Sequence, residues 1–566
     1  RKRRPHKPLA VMFRDLAQVR EHCRVSDAEA DLLASVEHPI VLLEWRGRGA
    51  GLETGDELGA GLDESQSPET AGAGDARRVA EISRECAVRQ RYLGAMLPYT
   101  PLHILLLEAA GRPLVMTSGN LAEEPIVRDV AEIERLVGIP DYHLMHDRAI
   151  AARYDDSVAL VRDGRPRLVR RSRGYAPFPI ALPRELPQVL ACGAELKNTF
   201  CLTRDRNAFL SQHIGDLENL ETLEHFESSI ALYERLFRLT PEALAHDLHP
   251  EYLATKYALA RAGASSANAP LELVGVQHHH AHIASCLVDN GAAGPVIGVS
   301  LDGLGYGLDG TLWGGEALLA DLERFRRFAH LQPLPLPGGA LAIERPVRTA
   351  VGWLLALLGP DGVERARRAG FAMDDRELDA VAAQVAGGLN APLTSSCGRL
   401  FDAVAALAGV RAAVTYEGQA AIELEMISTA GAGPYPYAVE AGRGEPLVVG
   451  LAPLFEAVLD DLGGGVAAGV IGSRLHAAVA SLTLDLAQRA RATTGLTAVA
   501  LSGGVYQNRL LCDLTEQALA DDGFTVLTHG LVPANDGGLA LGQAAVAGYT
   551  LLRRRGLLDH APDPRI

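Results

Sequence analysis

The chain has 566 residues, 48% of them hydrophobic and 22% charged, with 58 glycines, 31 prolines and a formal net charge of −16. That length exceeds one hydrophobic core and predicts two to four folding units, while the composition excludes collagen-like and low-complexity proteins. No apolar run approaches the roughly eighteen residues of a membrane span and no signal peptide opens the chain, so the sequence reads as cytoplasmic.

In chain order, the opening "RKRRPHK" places five Lys or Arg in seven positions directly before the strand-like "PLAVMF". It reads either as a basic tail or as a phosphate-binding edge. A start on Arg1 rather than Met suggests sequence missing upstream. From about residue 9 to 175, apolar strands ("PIVLLEW", "RPLVMTSGN", "DSVALVRDG", "PRLVRRS") alternate with charged stretches such as "VRDVAEIERLVGI", which reads as a helix. The alternation predicts an α/β or α+β domain. Within it, residues 49–76 carry seven acids and no base, almost half of the charge excess, and read as a disordered Gly-rich insert. "RGYAPFPIALPRELPQ" has four prolines and reads as a linker, which sets a domain boundary near residue 182.

After it, "VLACGAELKNTFCLTRDRNAFLSQHIGDL" and "PVIGVSLDGLGYGLDGTLWGGEALLAD" each read as strand, turn, strand, the first strand of the second hairpin ending on Asp302. Two such hairpins about a hundred residues apart hint at two lobes that offer turns to one cleft. Long Ala-rich helices fill 340–430, and the remainder returns to α/β with "TAVALSGGVYQNRLLCDLTEQALADDG", "FTVLTHG" and "ANDGGLALGQAAVAG".

Between the hairpins, "GVQHHHAHIASC" puts His278 and His282 four apart, so both imidazoles project from one face of a helix and can share a metal. Isolated H-x-x-x-H pairs more often pack or face solvent, but this pair follows the strand "LELVGVQ", where α/β sites gather. Asp536 in "ANDGG" offers a third ligand at a similar junction, its alternative reading being a helix N-cap. Two imidazoles and a carboxylate leave open positions on iron or zinc. Gly503 and Gly504 in "LSGGVYQN" let bare backbone approach a phosphate, or merely allow close packing. Lys2, Arg4 and Lys7 before a strand, with Ser118 and Asn120 in "MTSGN", supply cations and short polar groups for ATP, although "TSGN" is equally an ordinary turn. The seven cysteines are scattered, odd in number and never spaced C-x-x-C, which argues against a disulfide framework or thiolate zinc and leaves them as core residues.

These motifs, with "LPYTPLHILLLEAAGRPLVMTSGNLAEEPI", "HDRAIAARYDDSV", "RRSRGYAPFPI", "CGAELKNTFCLTR", "HDLHPEYLAT", "DGLGYGLDGTLWGGE" and "TYEGQAAIELE", closely resemble the HypF carbamoyltransferases of [NiFe]-hydrogenase maturation over nearly the whole chain. The resemblance implies an α/β protein: a YrdC-like domain at 1–182, then a two-lobed domain of the actin/Hsp70/sugar-kinase superfamily at 183–566, similar to threonylcarbamoyl-transfer proteins. It implies that the first domain makes carbamoyl adenylate from ATP and carbamate, with Mg2+ and release of pyrophosphate, the carbamate deriving from carbamoyl phosphate. The second would pass the carbamoyl group to the C-terminal cysteine of HypE, release AMP, and so provide the precursor of the cyanide ligands. Neither nucleic acid nor membrane is an expected partner, and a homodimer is left open.

Carried over residue by residue, the resemblance assigns ATP contacts in the first domain to Lys2, Arg4, Lys7, Ser118, Asn120 and Ser157, with Arg171 and Arg173 in a basic run that supplies a phosphate contact. In the second domain it assigns metal ligands to His278, His282 and Asp536, and the phosphate turn to Asp302, Gly303 and Gly305. Nucleoside-binding segments hold Glu417 and Gly418, and Gly503, Gly504 and Asn508. The chemistry is expected to centre on His278, His282, Asp302 and Asp536. Because the acceptor thiol is the partner's, no cysteine here need be catalytic.

The chain departs from the family pattern in lacking an acylphosphatase-like domain, C-x-x-C zinc elements and the first strand and helix of the YrdC-like domain. It also carries the acidic insert, and Ala340 where the pattern expects Asp. An O-carbamoyltransferase acting on a small natural product is the nearest alternative, and a non-catalytic nucleotide- or RNA-binding scaffold the alternative of another class. A metallopeptidase is disfavoured because no H-E-x-x-H is present.

Overall fold

A computed structural model describes residues 6–46, 82–122, 124–266, 270–440, 446–558 and 563–566. The acidic insert expected at 49–76 and the side chains of Lys2 and Arg4 lie outside the described residues. Contacts divide the chain into two units, His6–Thr117 and Ser118–Ile566.

The first unit holds β1 (Ala10–Met12), α1 (Leu16–His22), α2 (Asp27–Leu33), β2 (Ile40–Glu44), β3 (Tyr92–Met96), α3 (Pro101–Ala110) and β4 (Leu114–Met116). Its strands run in the order β4-β1-β3-β2, with β1 parallel to β3. Local chemistry sets the helix ends: Ser26 and Glu29 form a capping box before α2, and α3 starts with Thr100 capping and Pro101 in its first turn and stops at Gly111 in the left-handed region.

The second unit opens with a hairpin of β5 (Val158–Arg162) and β6 (Arg165–Arg170). A five-stranded sheet follows, in the order β11-β10-β8-β9-β7, from β7 (Ile180–Leu186), β8 (Val189–Ala191), β9 (Cys201–Leu210), β10 (Ala243–Asp247) and β11 (Glu272–Val276). It carries α4 (Leu220–Phe237) and α5 (Leu253–Gly263). After α6 (His278–Asp289) comes the second sheet, with β12 (Val296–Tyr306), β13 (Leu312–Ala320), β14 (Phe325–Leu331) and the two-residue strands β15 (Leu334–Pro335) and β16 (Leu393–Thr394). β17 (Ala438–Glu440), β18 (Leu447–Gly450), β19 (Ala498–Ser502) and β20 (Thr525–Leu527) complete it. Its main path is β17-β18-β14-β13-β12-β19-β20.

Helices α7 (Ala340–Glu344), α8 (Pro346–Leu358), α9 (Pro360–Arg368), α10 (Asp375–Gly387), α11 (Cys397–Leu407), α12 (Gln419–Ile427), α13 (Ala452–Gly463), α14 (Ala468–Thr494) and α15 (Arg509–Asp521) belong to this larger lobe, whose core includes Trp353, Phe401 and Phe455. The last helix, α16 (Leu539–Arg554), packs on α6, and the pair is buried between the two sheets, α16 against the five-stranded sheet and α6 against β12 and β19. The two lobes expected from the paired hairpins are therefore present, joined through a helix pair. No helix among the described residues is long and apolar enough to cross a membrane.

Two expectations change. The Pro-rich stretch read as a linker is β7, antiparallel to β9 at the edge of its sheet, where Pro183 removes no ladder bond that a central strand would need; residue 182 thus falls within a strand. The stretch "VRDVAEIERLVGI" forms only a 3-10 turn, Ala131–Leu136, because none of its apolar residues is fully buried and two find no surface to cover, Val130 being 68% and Val137 78% exposed.

Candidate functional site

β11 delivers the chain to α6, and Gln277 caps the helix by accepting the amide of His280 at 2.9 Å. His278 and His282 then stack with ring centroids 5.0 Å apart, both fully buried. β12 loses register with β13 between Leu301 and Gly305, and this irregularity turns Asp302 toward α6. Asn535, rather than Asp536, caps the short turn before α16 by accepting the amide of Gly537 at 3.0 Å. The Asp536 carboxylate is thereby left to face the histidines.

Among the described residues, His278, His282, Asp302 and Asp536 each offer a ligand atom, all within 4.8 Å of one another. The Nε2 atoms of His278 and His282 both lie 3.3 Å from Asp302 Oδ2, and 3.6 and 3.4 Å from Asp536 Oδ1. His282 Nε2 is buried and makes no hydrogen bond. An orphaned buried nitrogen aimed at two carboxylates is costly unless a further partner sits between them, and a metal ion fits that donor set.

The electrostatics agree. Burial would push both imidazoles toward neutrality, but Asp247, Asp302 and Asp536 outweigh it at His278, holding it well above the ordinary histidine range, and Asp302 and Asp536 raise His282. Burial would likewise raise the carboxyls, yet the two histidines draw Asp302 well below its usual range and Asp536 down to about 2. The two carboxylates thus stay negative and favour positive charge held between them.

Asp247, at the end of β10, accepts a hydrogen bond from His278 Nδ1 at 2.8 Å, with both groups buried. It fixes the tautomer that leaves Nε2 to a metal. Asp247→Asn is expected to weaken zinc binding about 10–100-fold with little change in fold, measured by competition with a chromogenic chelator. Unchanged affinity would exclude the orienting role.

The glycine turns divide in purpose. Gly503 has φ +95° and a Cβ there would meet Leu301 O at 2.2 Å, so this turn admits only glycine. The Gly504 amide donates to Asp302 Oδ1 at 2.9 Å. A Cβ on Gly305 would lie 2.5 Å from His279 Cε1 and 2.7 Å from His278 Cδ2, so this glycine makes room for the imidazoles. A Cβ on Gly303 would meet open space. Glu417 pairs with Lys197, a residue on the five-stranded lobe that the sequence reading overlooked, while Gly418 caps α12 in the left-handed region. Burial would lower the Lys197 pKa, but Glu417 and Asp536 raise it, so a firmly held cation stands beside Asp536. Asn508 caps α15 through Leu511 N at 2.9 Å and contacts His476 Nε2 at 2.8 Å. Ala340 is exposed at the start of α7.

Close to Lys197, Glu195 accepts the amide of Leu253 at 2.7 Å, and burial pushes its carboxyl up to about 7 from the usual 4.5. The folded chain therefore binds this proton more tightly than the unfolded chain, and its contribution to stability is complete below about 4.5 and lost as pH rises through about 7. Glu195→Gln should flatten that segment of the pH–stability curve in denaturant titrations. An identical slope in both proteins would contradict the assignment.

Of the residues expected to bind ATP in the first domain, Lys7 is exposed in the first unit, Ser118, Asn120, Ser157, Arg171 and Arg173 lie in the second, and Lys2 and Arg4 fall outside the described residues. Ser118 Oγ donates to Asn120 Oδ1 at 2.6 Å, and Asn120 Nδ2 to Glu124 O at 2.7 Å. Ser157 is buried, accepting Ser172 N and donating to Arg173 O, both at 2.8 Å. Arg171 is also buried, its guanidinium spent on the carbonyls of Leu210, Tyr175 and Phe178 at 3.2, 2.9 and 2.9 Å, and burial lowers it to about 10. Arg173 pairs with Asp156 at 2.8 Å.

Comparison with known proteins assigns the class. Residues 75–172 match the Sua5/YciO/YrdC family ("Telomere recombination"), 184–289 the "HypF Kae1-like domain", and 298–543 "Carbamoyltransferase, Kae1-like Domain, second subdomain". The protein is an enzyme, a carbamoyltransferase of YrdC-like and Kae1-like domains. Carbamoyltransferase HypF of Rhodobacter capsulatus is 42% identical over 97% of this chain and 68% of its own length, and HypF2 of Cupriavidus necator 39% identical over the same shares. A full-length HypF crystallised in a phosphate- and nucleotide-bound form superposes with a TM-score of 0.86 at 40% identity, covering 97% of this chain and 80% of that one. HypF from T. kodakarensis gives 0.83 at 31% identity over 98% and 68%. The chain belongs to the HypF carbamoyltransferase family.

Proposed function

We propose that this carbamoyltransferase works in two steps. ATP and carbamate, the latter released from carbamoyl phosphate, give carbamoyl adenylate and pyrophosphate. The C-terminal cysteine thiolate of HypE then attacks the carbamoyl carbon, the bond to the AMP oxygen breaks, and a thiocarbamate and AMP leave. The convergence of His278, His282, Asp302 and Asp536 beside the 503–504 turn carries this reading.

The division of labour is 1–182 for adenylation and 183–566 for transfer, with the matched stretches 75–172 and 184–289 falling on either side. In the first, Lys2, Arg4, Lys7, Ser118, Asn120 and Arg173 address ATP and its Mg2+, whereas Ser157 and Arg171, committed to main-chain groups, hold the segment that carries Arg173. In the second, His278, His282 and Asp536 would hold iron or zinc, joined by Asp302 at an equal distance. A cation held there would supply Lewis-acid polarisation of the carbamoyl oxygen. Asp302, Gly303, Gly503 and Gly504 present the phosphate edge, Lys197 stands ready to offset charge on the departing AMP, and Glu417, Gly418 and Asn508 take the nucleoside. The mixed anhydride decomposes in water, so the two halves must protect it between steps.

The adenylation half is tested by exchange of labelled pyrophosphate into ATP with bicarbonate-derived carbamate supplied directly. Exchange that depends on carbamate is expected, and exchange without it would refute adenylation of this substrate.

A further inference from the structure

Strand β6, which runs into the Arg171–Arg173 segment, is gripped along its outer edge by both loops of the metal centre. The Val169 carbonyl accepts Gln507 Nε2 and Asn535 Nδ2, each at 3.3 Å. Its neighbours bind the same loop: Arg167 NH1 donates to His529 O at 2.7 Å and Leu168 N to Gly530 O at 3.4 Å. Gln507 follows the 503–504 turn and Asn535 immediately precedes Asp536. Asn535 works in two directions at once, since its Oδ1 also caps Gly537 N. The loop is tied back to the histidine helix by Asp289 at the end of α6, which accepts Gly530 N at 2.6 Å and Leu531 N at 3.1 Å. A continuous set of bonds therefore joins the helix of His278 and His282, the loop of Asp536, the glycine turn and β6.

We infer that Asn535 and Gln507 are positioning residues that lock β6 to the metal centre, so that filling the transfer site orders the Arg171–Arg173 segment and keeps adenylation in step with transfer. Coupling of this kind is reciprocal: whatever tightens one end through the clip tightens the other. A purely local role for Asn535 needs only its oxygen, and neither the cap nor the turn needs its amide donor. The statement about keeping step rests on the two-step reading above. The statement about ordering does not.

The variants are Asn535→Asp and Gln507→Glu, singly and combined. Asn535→Asp retains the oxygen that caps Gly537 and replaces the N–H facing Val169 O with a second acceptor, so the turn persists while the clip opens. Hydrogen–deuterium exchange across 165–173 is measured with and without zinc as the only addition. In the parent chain zinc should slow exchange in this segment, and in the double variant that protection should vanish although zinc is still bound, as metal analysis will show. The number of acceptor thiols carbamoylated per ATP consumed should fall about tenfold in the double variant, the order expected for two lost hydrogen bonds. Pyrophosphate exchange and transfer from supplied carbamoyl adenylate should stay within about twofold of the parent, as expected where neither site loses a group.

Equal zinc protection in parent and variant, or none in either, would overturn the inference. So would a parallel loss of both half-reactions, which would mark Asn535 and Gln507 as merely structural. If the parent protects 165–173 with zinc yet catalyses neither half-reaction, the clip stands and the two-step reading falls.

Discussion

His282→Ala is expected to abolish metal retention and thiol carbamoylation while leaving pyrophosphate exchange within about twofold of the parent. The reason is geometric. His282 Nε2 is the buried nitrogen that lacks a hydrogen bond and is aimed at both carboxylates, so its removal subtracts a ligand from the centre of the cluster. Losing an outer partner of a metal ligand costs about 10–100-fold in affinity, and losing a ligand must cost more. Three donors would remain, but Asp302 and Asp536 would then sit together with one imidazole instead of two to offset them. Zinc should raise the melting temperature of the parent and not that of the variant. A variant that binds zinc as tightly as the parent would remove His282 from the coordination set.

A comparable loss, by another route, is expected for Gly542→Val. Here α16 crosses α6 so closely that even a Cβ at residue 542 would lie 1.8 Å from Ala281 O, 2.7 Å from Ala281 C and 2.8 Å from Ser285 N. All three are backbone atoms of the helix that carries His278 and His282, and no rotamer change relieves such a contact. The helices must separate, opening the core between the sheets, at a cost of about 3 kcal/mol or more. Metal binding should fall with stability because the spacing of Asp536, three residues before α16, depends on the same contact. Gly387→Ala, in α10 where a Cβ meets nothing within 4 Å, is the control and should be neutral or slightly stabilising, by about 0.5–1 kcal/mol. Chemical denaturation of both variants checks the contrast, and similar stabilities would contradict it.

Much of the site was legible in the sequence because its signals are local. The four-residue spacing of His278 and His282 required only a helix, and their position after an apolar strand located the helix in an α/β framework. Asp302 at a hairpin and Asp536 before a small-residue helix were visible for the same reason. Their convergence was not, since it depends on the packing of α6 between β12 and α16. Asp247 escaped because nothing in "HDLHPEY" reveals that β10 pairs in parallel with β11 and so brings its last carboxylate to His278. Lys197 escaped because its partner, Glu417, is 220 residues away. The Pro-rich stretch misled in the other direction: proline marks the absence of an amide donor, and an edge strand tolerates that as readily as a linker does. Charge and apolar alternation at 130–137 suggested a helix, but a helix that buries none of its residues fully gains too little from propensity alone to extend beyond a turn.

The central claim is that the second unit, in which His278, His282, Asp302 and Asp536 would hold the metal, passes a carbamoyl group from an adenylate to a partner's thiol. Its most direct test is intact-mass analysis of HypE after incubation with the zinc- or iron-loaded chain and chemically prepared carbamoyl adenylate, which bypasses the first half-reaction. The expected result is one carbamoyl group on the C-terminal cysteine, released AMP, and neither product with the His282→Ala variant or after chelation. Unmodified HypE with the adenylate hydrolysed, or carbamoylation that proceeds equally without metal, would contradict the account.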